Sequence, residues 1–399
     1  MPRQPIFTAA PRPRARAAER ICMSTPPLPD LLSLTPRELE ELMTGLGEPK
    51  YRAAQIFPQL HRGVPPDEMS NLSLALRQKL KQAAVCRLPH IERKLLSALD
   101  GTAKYLLSLA DGNCVESVLM QYEHGLTICI SSQVGCRMGC RFCASTIGGR
   151  VRDLTPGELL GQVITVQKDC GARISNIVLM GIGEPLDNYE NVVKFLHLVN
   201  DPAGLNIGYR HISLSTCGLA DRIDRLREEN LPITLSVSLH APDDASRSAI
   251  MPINRRYGID RLLESCRVYF AATGRRISFE YTLIAGKNDS VGQARRLAQL
   301  LTSRLRGKEK HGMPIHVNLI PVNEVEGTGF THAGREAVRR FAAELESRGI
   351  RATVRRTLGA DINASCGQLR REYMQQANTE PAAETAENST VTISQRGDG

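Results

Sequence analysis

Three closely spaced cysteines limit what this chain can be more strongly than any other feature. Cys136, Cys140 and Cys143 stand in the stretch SSQVGCRMGCRFCAS, with the spacing C-x3-C-x2-C. A cubane iron–sulfur cluster takes four thiolate ligands, so a loop that offers three leaves one iron with an open coordination position. The alternatives are unrelated core cysteines or a structural zinc loop with Cys129 as the fourth ligand, but zinc sites favour paired C-x2-C units. The spacing therefore favours an iron–sulfur cluster.

Composition narrows the class of protein. The chain has 399 residues, a net charge of +9 and 11 cysteines, and no apolar run approaches the roughly 20 residues of a membrane span. An odd number of scattered cysteines indicates an intracellular thiol and metal protein, and we expect a cytoplasmic one. The basic balance suggests a polyanionic partner such as RNA, although a solvated basic surface would give the same charge.

The two ends of the chain differ from its middle. Residues 1–30 are rich in Arg, Pro and Ala and lack a hydrophobic period, which predicts a disordered or misassigned leader, with Met23 as an alternative start. Residues 377–399 are of low complexity and are expected to be disordered.

A small helical domain is predicted at residues 31–95. It opens on Thr35-Pro36-Arg37-Glu38, a capping box with proline at the first helical position, and further helices are predicted near 51–61 and 73–84. The third helix carries a basic group at Arg77, Lys79 and Lys81, which could contact phosphate or simply face solvent.

From about Ser97 the apolar pattern changes to period two. Lys104–Leu109 and Cys114–Tyr122 alternate on either side of an Asp-Gly turn and predict a β-hairpin, after which Leu126–Ser131 leads into the cysteine loop. Glu116 falls on the same strand face as apolar neighbours, where a carboxylate could accept a proton. An exposed strand residue is the plainer interpretation of Glu116.

After the loop, strands and helices alternate. Six strand–helix units predict a parallel α/β fold with fewer units than the eight of a closed barrel, so residues 96–376 are expected to form one partial barrel with the hairpin at its start. Polar and glycine residues follow several strands, as in Gly183-Glu184 and Ser238-Leu239-His240, and place a site at the carboxyl ends. Near the C-terminus, Cys366 lies in ASCGQL, where a lone cysteine is normally an inert thiol.

Together these motifs resemble the dual-specificity ribosomal and transfer RNA adenine-C2 methyltransferases of the radical S-adenosylmethionine (SAM) superfamily. The resemblance rests on SSQVGCRMGCRFCAS, MGIGEPLDN, LSTCGL, SLHAPDD followed by MPIN, VNLIPVNE and ASCGQL, and it covers about residues 31–375. It implies a partial (β/α)6 TIM-like radical SAM barrel preceded by a helical domain that helps to grip RNA. Adenine-C8 methyltransferases are the nearest alternative, and Val134 and Pro185 look more like the C2 enzymes. A peptide-modifying radical SAM enzyme or a zinc or redox module fits the motifs less well.

The resemblance also implies the chemistry. Cys136, Cys140 and Cys143 would hold one [4Fe–4S] cluster, and two SAM molecules would be used per turnover. Cys366 would be methylated first, and its methyl carbon would then be joined to adenine C2 by a radical route. Glu116 would remove the C2 proton, and Cys129 would form a transient disulfide with Cys366 to release the product.

The same family implies the remaining site residues and partners. The residues matching the SAM site are Gly183, Glu184, Ser215, Ser238, Leu239, His240 and Asn323. The expected substrates are 23S rRNA and tRNA. A flavodoxin-type electron donor would reduce the cluster, no membrane is involved, and a monomer is expected.

Overall fold

The computed structural model describes residues 28–306, 313–325, 327–364, 369–371 and 373. Residues 1–27 of the predicted leader, the predicted tail and Cys366 lie outside this part of the chain.

Three helices begin the described part, as the sequence predicted. They are α1 (Pro36–Gly45), α2 (Tyr51–His61) and α3 (Leu74–Ala83). The predicted capping box is present, since the Thr35 hydroxyl accepts the Glu38 N–H and the Glu38 carboxylate accepts the Thr35 N–H. The basic residues of α3 are partly engaged within this region: Arg77 donates to the Leu72 carbonyl oxygen and Lys79 pairs with Glu48 at 2.6 Å.

Strands and helices alternate through the rest of the described chain. The strands are β1 (His90–Leu96), β2 (Ala103–Ser108), β3 (Cys114–Tyr122), β4 (Gly125–Cys129), β5 (Gln133–Gly135), β6 (Arg150–Asp153), β7 (Ile174–Leu179), β8 (Ile212–Thr216), β9 (Thr234–Ser238), β10 (Ile277–Leu283), β11 (His316–Pro321) and β12 (Arg351–Val354). The helices are α4 (Pro156–Cys170), α5 (Tyr189–Asn200), α6 (Ala220–Glu228), α7 (Asp244–Ile250), α8 (Ile259–Thr273), α9 (Val291–Leu301) and α10 (Arg335–Ser347).

One sheet carries most of these strands. Its order is β1-β2-β3-β4-β7-β8-β9-β10-β11-β12, antiparallel from β1 to β4 and parallel from β4 to β12. Helices separate the parallel strands along the chain, as parallel connections require. The predicted α/β class, with a central parallel sheet behind a helical N-terminal region, is confirmed.

One edge strand of the sheet was not predicted and the other was. Residues 90–96, placed by the sequence in the helical region that ends at 95, form β1 and pair with β2. Most β1 side chains are exposed, so the strand carries no clear apolar alternation that would have identified it. At the other edge, the strand that the sequence predicts at 352–356 is found as β12, which pairs parallel with β11.

The sheet curves so that its distant strands meet. The guanidinium of Arg355, just after β12, lies 3.9 Å from the sulfur of Met180, just after β7. Leu358 and Ala364 pack against an apolar cluster that Val118 and Cys129 help to form. The chain beyond β12 therefore lies against β3 and β4, as in a partial barrel.

None of the helices in the described ranges is both long and apolar enough to cross a lipid bilayer.

Candidate active site

The three-cysteine loop connects the two strands of a short antiparallel ribbon. Strands β5 and β6 pair antiparallel, and the cysteines lie between them. Gly135 ends β5 with φ +78°, and a Cβ there would overlap the carbonyl oxygen of Gly149. That oxygen accepts the Cys136 N–H at 3.0 Å, so the close approach of the two backbones orients the first cysteine.

Backbone contacts draw the other two cysteines together. The Cys143 N–H donates to the Cys140 carbonyl oxygen at 3.1 Å. The Thr146 hydroxyl donates to the carbonyl oxygens of Cys140 and Cys143, at 3.1 and 2.9 Å. Cys136 and Cys140 are buried and Cys143 is half-buried. One face of the loop is therefore accessible through Cys143.

The thiols of the loop are electrostatic neighbours. Burial, with a smaller contribution from the Glu184 and Cys143 charges, raises the pKa of Cys136 to about 12. Burial also raises the pKa of Cys140, and so do Cys143 and Cys136. Three neighbouring thiolates, two of them buried, can coexist only beside a strong cation, and iron is such a partner. The donor set thus fits the cluster, although nowhere in the described ranges do three His, Cys, Asp or Glu side chains already form a finished set of metal ligands.

His240 supports this loop from the neighbouring strand end. It has φ +58° and packs edge-on against Phe142 of the loop, with ring centroids 5.0 Å apart. Its Nδ1 accepts the Thr282 N–H at 2.9 Å, and burial lowers its pKa to about 3. The neutral ring is therefore a packing and hydrogen-bonding group and does not supply a charge near neutral pH.

Gly183 and Glu184 lie in the loop after β7. Gly183 has φ +109°, and a Cβ would come within 2.7 Å of the Gln133 backbone nitrogen. The Glu184 carboxylate is buried and accepts the N–H groups of Leu186 at 3.0 Å and Cys217 at 2.7 Å. Burial raises the pKa of Glu184. The carboxylate therefore joins the loops after β7 and β8.

The other residues matched to the SAM site are arranged along the carboxyl ends of β8, β9 and β11. Ser215 is half-buried on β8, Ser238 ends β9, Leu239 is fully buried and Asn323 is exposed just after β11. These positions agree with the expectation that the site lies at this edge of the sheet.

Arg247 holds this edge together, and sequence reasoning did not single it out. Its fully buried guanidinium donates to the carbonyl oxygens of Cys217, Ser238 and Leu239 at 2.7, 2.9 and 3.1 Å, and to the Asn254 amide oxygen at 2.9 Å. The arginine lies between the SLHAPDD and MPIN motifs, which were noticed only as resemblances. A planar group with five donors can satisfy carbonyls from two loops at once.

A cavity of about 320 Å³ opens beside the loop. Its walls include Cys143 of the loop, Cys129 at the end of β4, Asn323 after β11, and Asn363 with Ala364 near the C-terminus. Cys129 is itself buried, next to Val118. The cavity thus joins residues predicted for three separate roles.

Glu116 lies deep in the sheet, so the plainer interpretation of an exposed strand residue is wrong. Its side chain is 2% exposed, and its carboxylate lies 3.3 Å from the Lys104 ammonium on β2. It also accepts the Arg370 N–H at 2.7 Å. The expected apolar surroundings are corrected too, because a lysine and a backbone donor face the carboxylate. Lys104 was missed because pairing across strands depends on a register that alternation alone does not give.

Cys366 itself lies outside the described residues, but its neighbours on either side are placed. Asn363 and Ala364 line the cavity, and Leu369 is buried against Leu106 and Cys114. The chain before Cys366 therefore lies at the cavity, and the chain after it lies against β2 and β3.

Comparison with known proteins decides the family. Residues 130–298 match the radical SAM superfamily, and residues 29–86 match the ribosomal RNA large subunit methyltransferase N-terminal domain. A relative from Alkaliphilus oremlandii, named "Probable dual-specificity RNA methyltransferase RlmN", is 52% identical over 347 residues, covering 87% of this chain and 98% of the relative. The chain belongs to the RlmN family.

Further relatives agree. A protein of the same name from Lachnospira eligens is 50% identical, covering 87% of this chain and 97% of its own. The crystal structure of a radical SAM methyltransferase from Sphaerobacter thermophilus superposes with a TM-score of 0.80 at 43% identity, over 86% of this chain and 99% of that one. The family predicted from the motifs is confirmed, and the chain is a radical SAM methyltransferase.

Proposed function

We propose that this enzyme methylates C2 of one adenine in 23S rRNA, at the peptidyl-transferase centre, and of the adenine 3′ to the anticodon in tRNAs. The relatives at about 50% identity are named as dual-specificity RNA methyltransferases. An N-terminal helical region and a net charge of +9 suit a polyanionic substrate.

The observation that carries the proposal is the shared cavity. Cys143 of the three-cysteine loop, Cys129 of β4 and Asn363, three residues before Cys366, all line it. An inert core thiol at position 129 would not need to face the same space as the loop and the chain leading to Cys366. A peptide-modifying enzyme or a zinc module gives no reason for the three to meet.

Two cofactors fit the residues present. Cys136, Cys140 and Cys143 would hold one [4Fe–4S] cluster, and SAM would bind among Gly183, Glu184, Ser215, Ser238, Leu239, His240 and Asn323. When bound, the cluster and SAM supply a strong hydrogen-atom abstractor, which adenine C2 requires because its C–H is neither acidic nor nucleophilic. The electron would come from a flavodoxin-type donor in the cytoplasm, and the enzyme would act as a monomer.

The chain's own residues then divide the work. Cys366 holds the methyl group as S-methylcysteine and, once a hydrogen has been removed from it, links that carbon to C2. Glu116 takes the C2 proton, and the one electron released as the ring becomes aromatic again would return to the oxidised cluster that Cys136, Cys140 and Cys143 would hold. The Cys129 sulfur attacks the Cys366 sulfur, so that an S–S bond forms and the S–C bond breaks. The electron pair of that bond stays with the RNA carbon, which is protonated to a methyl group.

The test is mass analysis of nucleosides from unmodified rRNA and tRNA after anaerobic reaction. Wild-type enzyme should form 2-methyladenosine in both RNAs, whereas Cys366→Ala should form none. Cys170→Ala is the control, because this half-buried thiol at the end of α4 bonds only to nearby carbonyls in its own turn. Formation of 8-methyladenosine, or full activity in Cys366→Ala, would contradict the proposal.

A further inference from the structure

A buried lysine lies at the centre of the contacts around Glu116. Lys104 is 0% exposed on β2, and its ammonium contacts the Glu116 carboxylate at 3.3 Å and the Asn363 carbonyl oxygen at 3.0 Å. Lysine is almost never fully buried unless it is paired, because removing its charge from water is costly. Its two observed contacts therefore account for its position between β3 and the C-terminal segment.

The same ion pair is joined to the chain on both sides of Cys366. Asn363, three residues before Cys366, accepts from Lys104. Arg370, four residues after Cys366, donates its N–H to Glu116 at 2.7 Å and its Nε–H to the Cys114 carbonyl oxygen at 2.9 Å. The segment that carries Cys366 thus has a fixed point at each end, and both fixed points lead back to one lysine–glutamate pair.

These contacts also serve the role proposed for Glu116. A general base has to be aimed at the proton that it takes, so the position of its carboxylate matters before anything else. The Lys104 ammonium at 3.3 Å and the Arg370 N–H at 2.7 Å hold this carboxylate from two elements at once.

We propose that Lys104 is a positioning residue for this reaction: it holds the Glu116 carboxylate and, through the Asn363 carbonyl oxygen, the chain that leads to Cys366. The inference rests on the proposed function, since it assumes the methyl-carrier and base roles of Cys366 and Glu116. It goes beyond that function by assigning the alignment of both groups to a lysine on the neighbouring strand.

The first test changes the charge of Lys104. Lys104→Met should slow 2-methyladenosine formation about 100-fold, the loss typical of a residue that orients a catalytic group. Lys104→Arg keeps a long cationic side chain that can donate to both acceptors, so it should restore most of the activity, with at most a tenfold loss of rate.

The matched control is Lys94→Met. Lys94 lies on the adjacent strand β1, is 38% exposed and pairs with Asp169 at 2.6 Å, and within the described part of the chain its contacts involve neither Glu116 nor Asn363. This variant should keep the wild-type rate. A wild-type rate in Lys104→Met would overturn the inference, and so would equal losses of rate in Lys104→Arg and Lys104→Met.

The second test asks whether Lys104 positions the segment that carries Cys366, and it does not depend on Glu116 as a base. Glu116→Gln should still become S-methylated at Cys366, measured by peptide mass, while RNA product stalls. The double variant Lys104→Met/Glu116→Gln leaves no unpaired buried charge and should therefore fold even if Lys104→Met does not. Its Cys366 methylation should fall at least tenfold below that of Glu116→Gln.

Equal methylation in the two variants would refute the positioning role. Failure of the proposed function would give a different result, because then the wild-type enzyme itself would form no 2-methyladenosine.

Discussion

At the scale of single residues, the sequence predicts which side chains carry the chemistry better than it predicts their partners. The motif resemblance marked Glu116, and strand alternation assigned it to one face of β3. The buried Lys104 opposite it came only from the structure, because β2 and β3 pair Leu106 with Glu116 and bring Lys104 near in space. Arg247 was missed for a related reason, since its four acceptors come from residues far apart in the chain.

A buried histidine gives a residue-scale prediction of acid sensitivity. His61 at the end of α2 accepts the Leu205 N–H at 3.2 Å, and burial lowers its pKa to about 4. Between about pH 4 and the unfolded value near 6.5, the unfolded chain binds the extra proton and the folded chain does not. The contribution of this group to stability is therefore complete above pH 6.5 and is lost as the pH falls.

His61→Asn keeps an acceptor for Leu205 and removes the titration. Urea unfolding at pH 7.5 and pH 5.0 should show a smaller loss of stability on acidification in His61→Asn than in the wild type, by about 2 kcal/mol. His197→Asn is the control, because this exposed ring bonds only to the Tyr209 hydroxyl. An identical pH dependence in wild type and His61→Asn would contradict the assignment.

At the scale of elements, the long and regular segments followed the sequence closely and the short ones did not. Helix α2 was predicted at 51–61 and is found at Tyr51–His61. Strands β5 and β6 were not predicted, because three- and four-residue strands with an irregular register carry too few side chains for a period to appear. This small ribbon nevertheless sets the position of the three-cysteine loop.

The ribbon gives an element-scale prediction with a matched pair of glycines. Gly135 and Gly148 both have positive φ, +78° and +87°, so alanine is strained at either position. Only at Gly135 would the added Cβ meet the opposite strand, whereas nothing lies within 4 Å at Gly148. Gly135→Ala should therefore misplace the loop, while Gly148→Ala should cost only about 1 kcal/mol of stability.

Iron content after anaerobic reconstitution measures this difference. Gly135→Ala should bind less than half the iron of the wild type, and Gly148→Ala should bind as much as the wild type. Equal loading of both variants would show that the ribbon does not control the loop.

At the scale of the whole molecule, the order of strands and helices and a partial barrel were predicted, but the contacts that close the sheet were not. Six strand–helix units could be counted along the chain, but a count does not show that the residues after β12 lie against β3 and β4. The structure shows it through Leu358 and Ala364, which pack against the Val118–Cys129 cluster. Because of this closure, residues from separate motifs line one cavity, among them the thiols of Cys129 and Cys143.

The central claim is that Cys129 resolves a covalent link between Cys366 and RNA. Cys129→Ala should therefore complete the methyl transfer to C2 but fail to release it, leaving a complex of enzyme and RNA that survives denaturation. Cys266→Ala, which removes an equally buried thiol from α8 outside the cavity, should release product normally.

The decisive measurement is denaturing electrophoresis of Cys129→Ala enzyme with substrate RNA, followed by peptide mass mapping. The account predicts an RNA adduct attached at Cys366 through one carbon. Cys129→Ala protein that carries no RNA and forms 2-methyladenosine at the wild-type rate would contradict it.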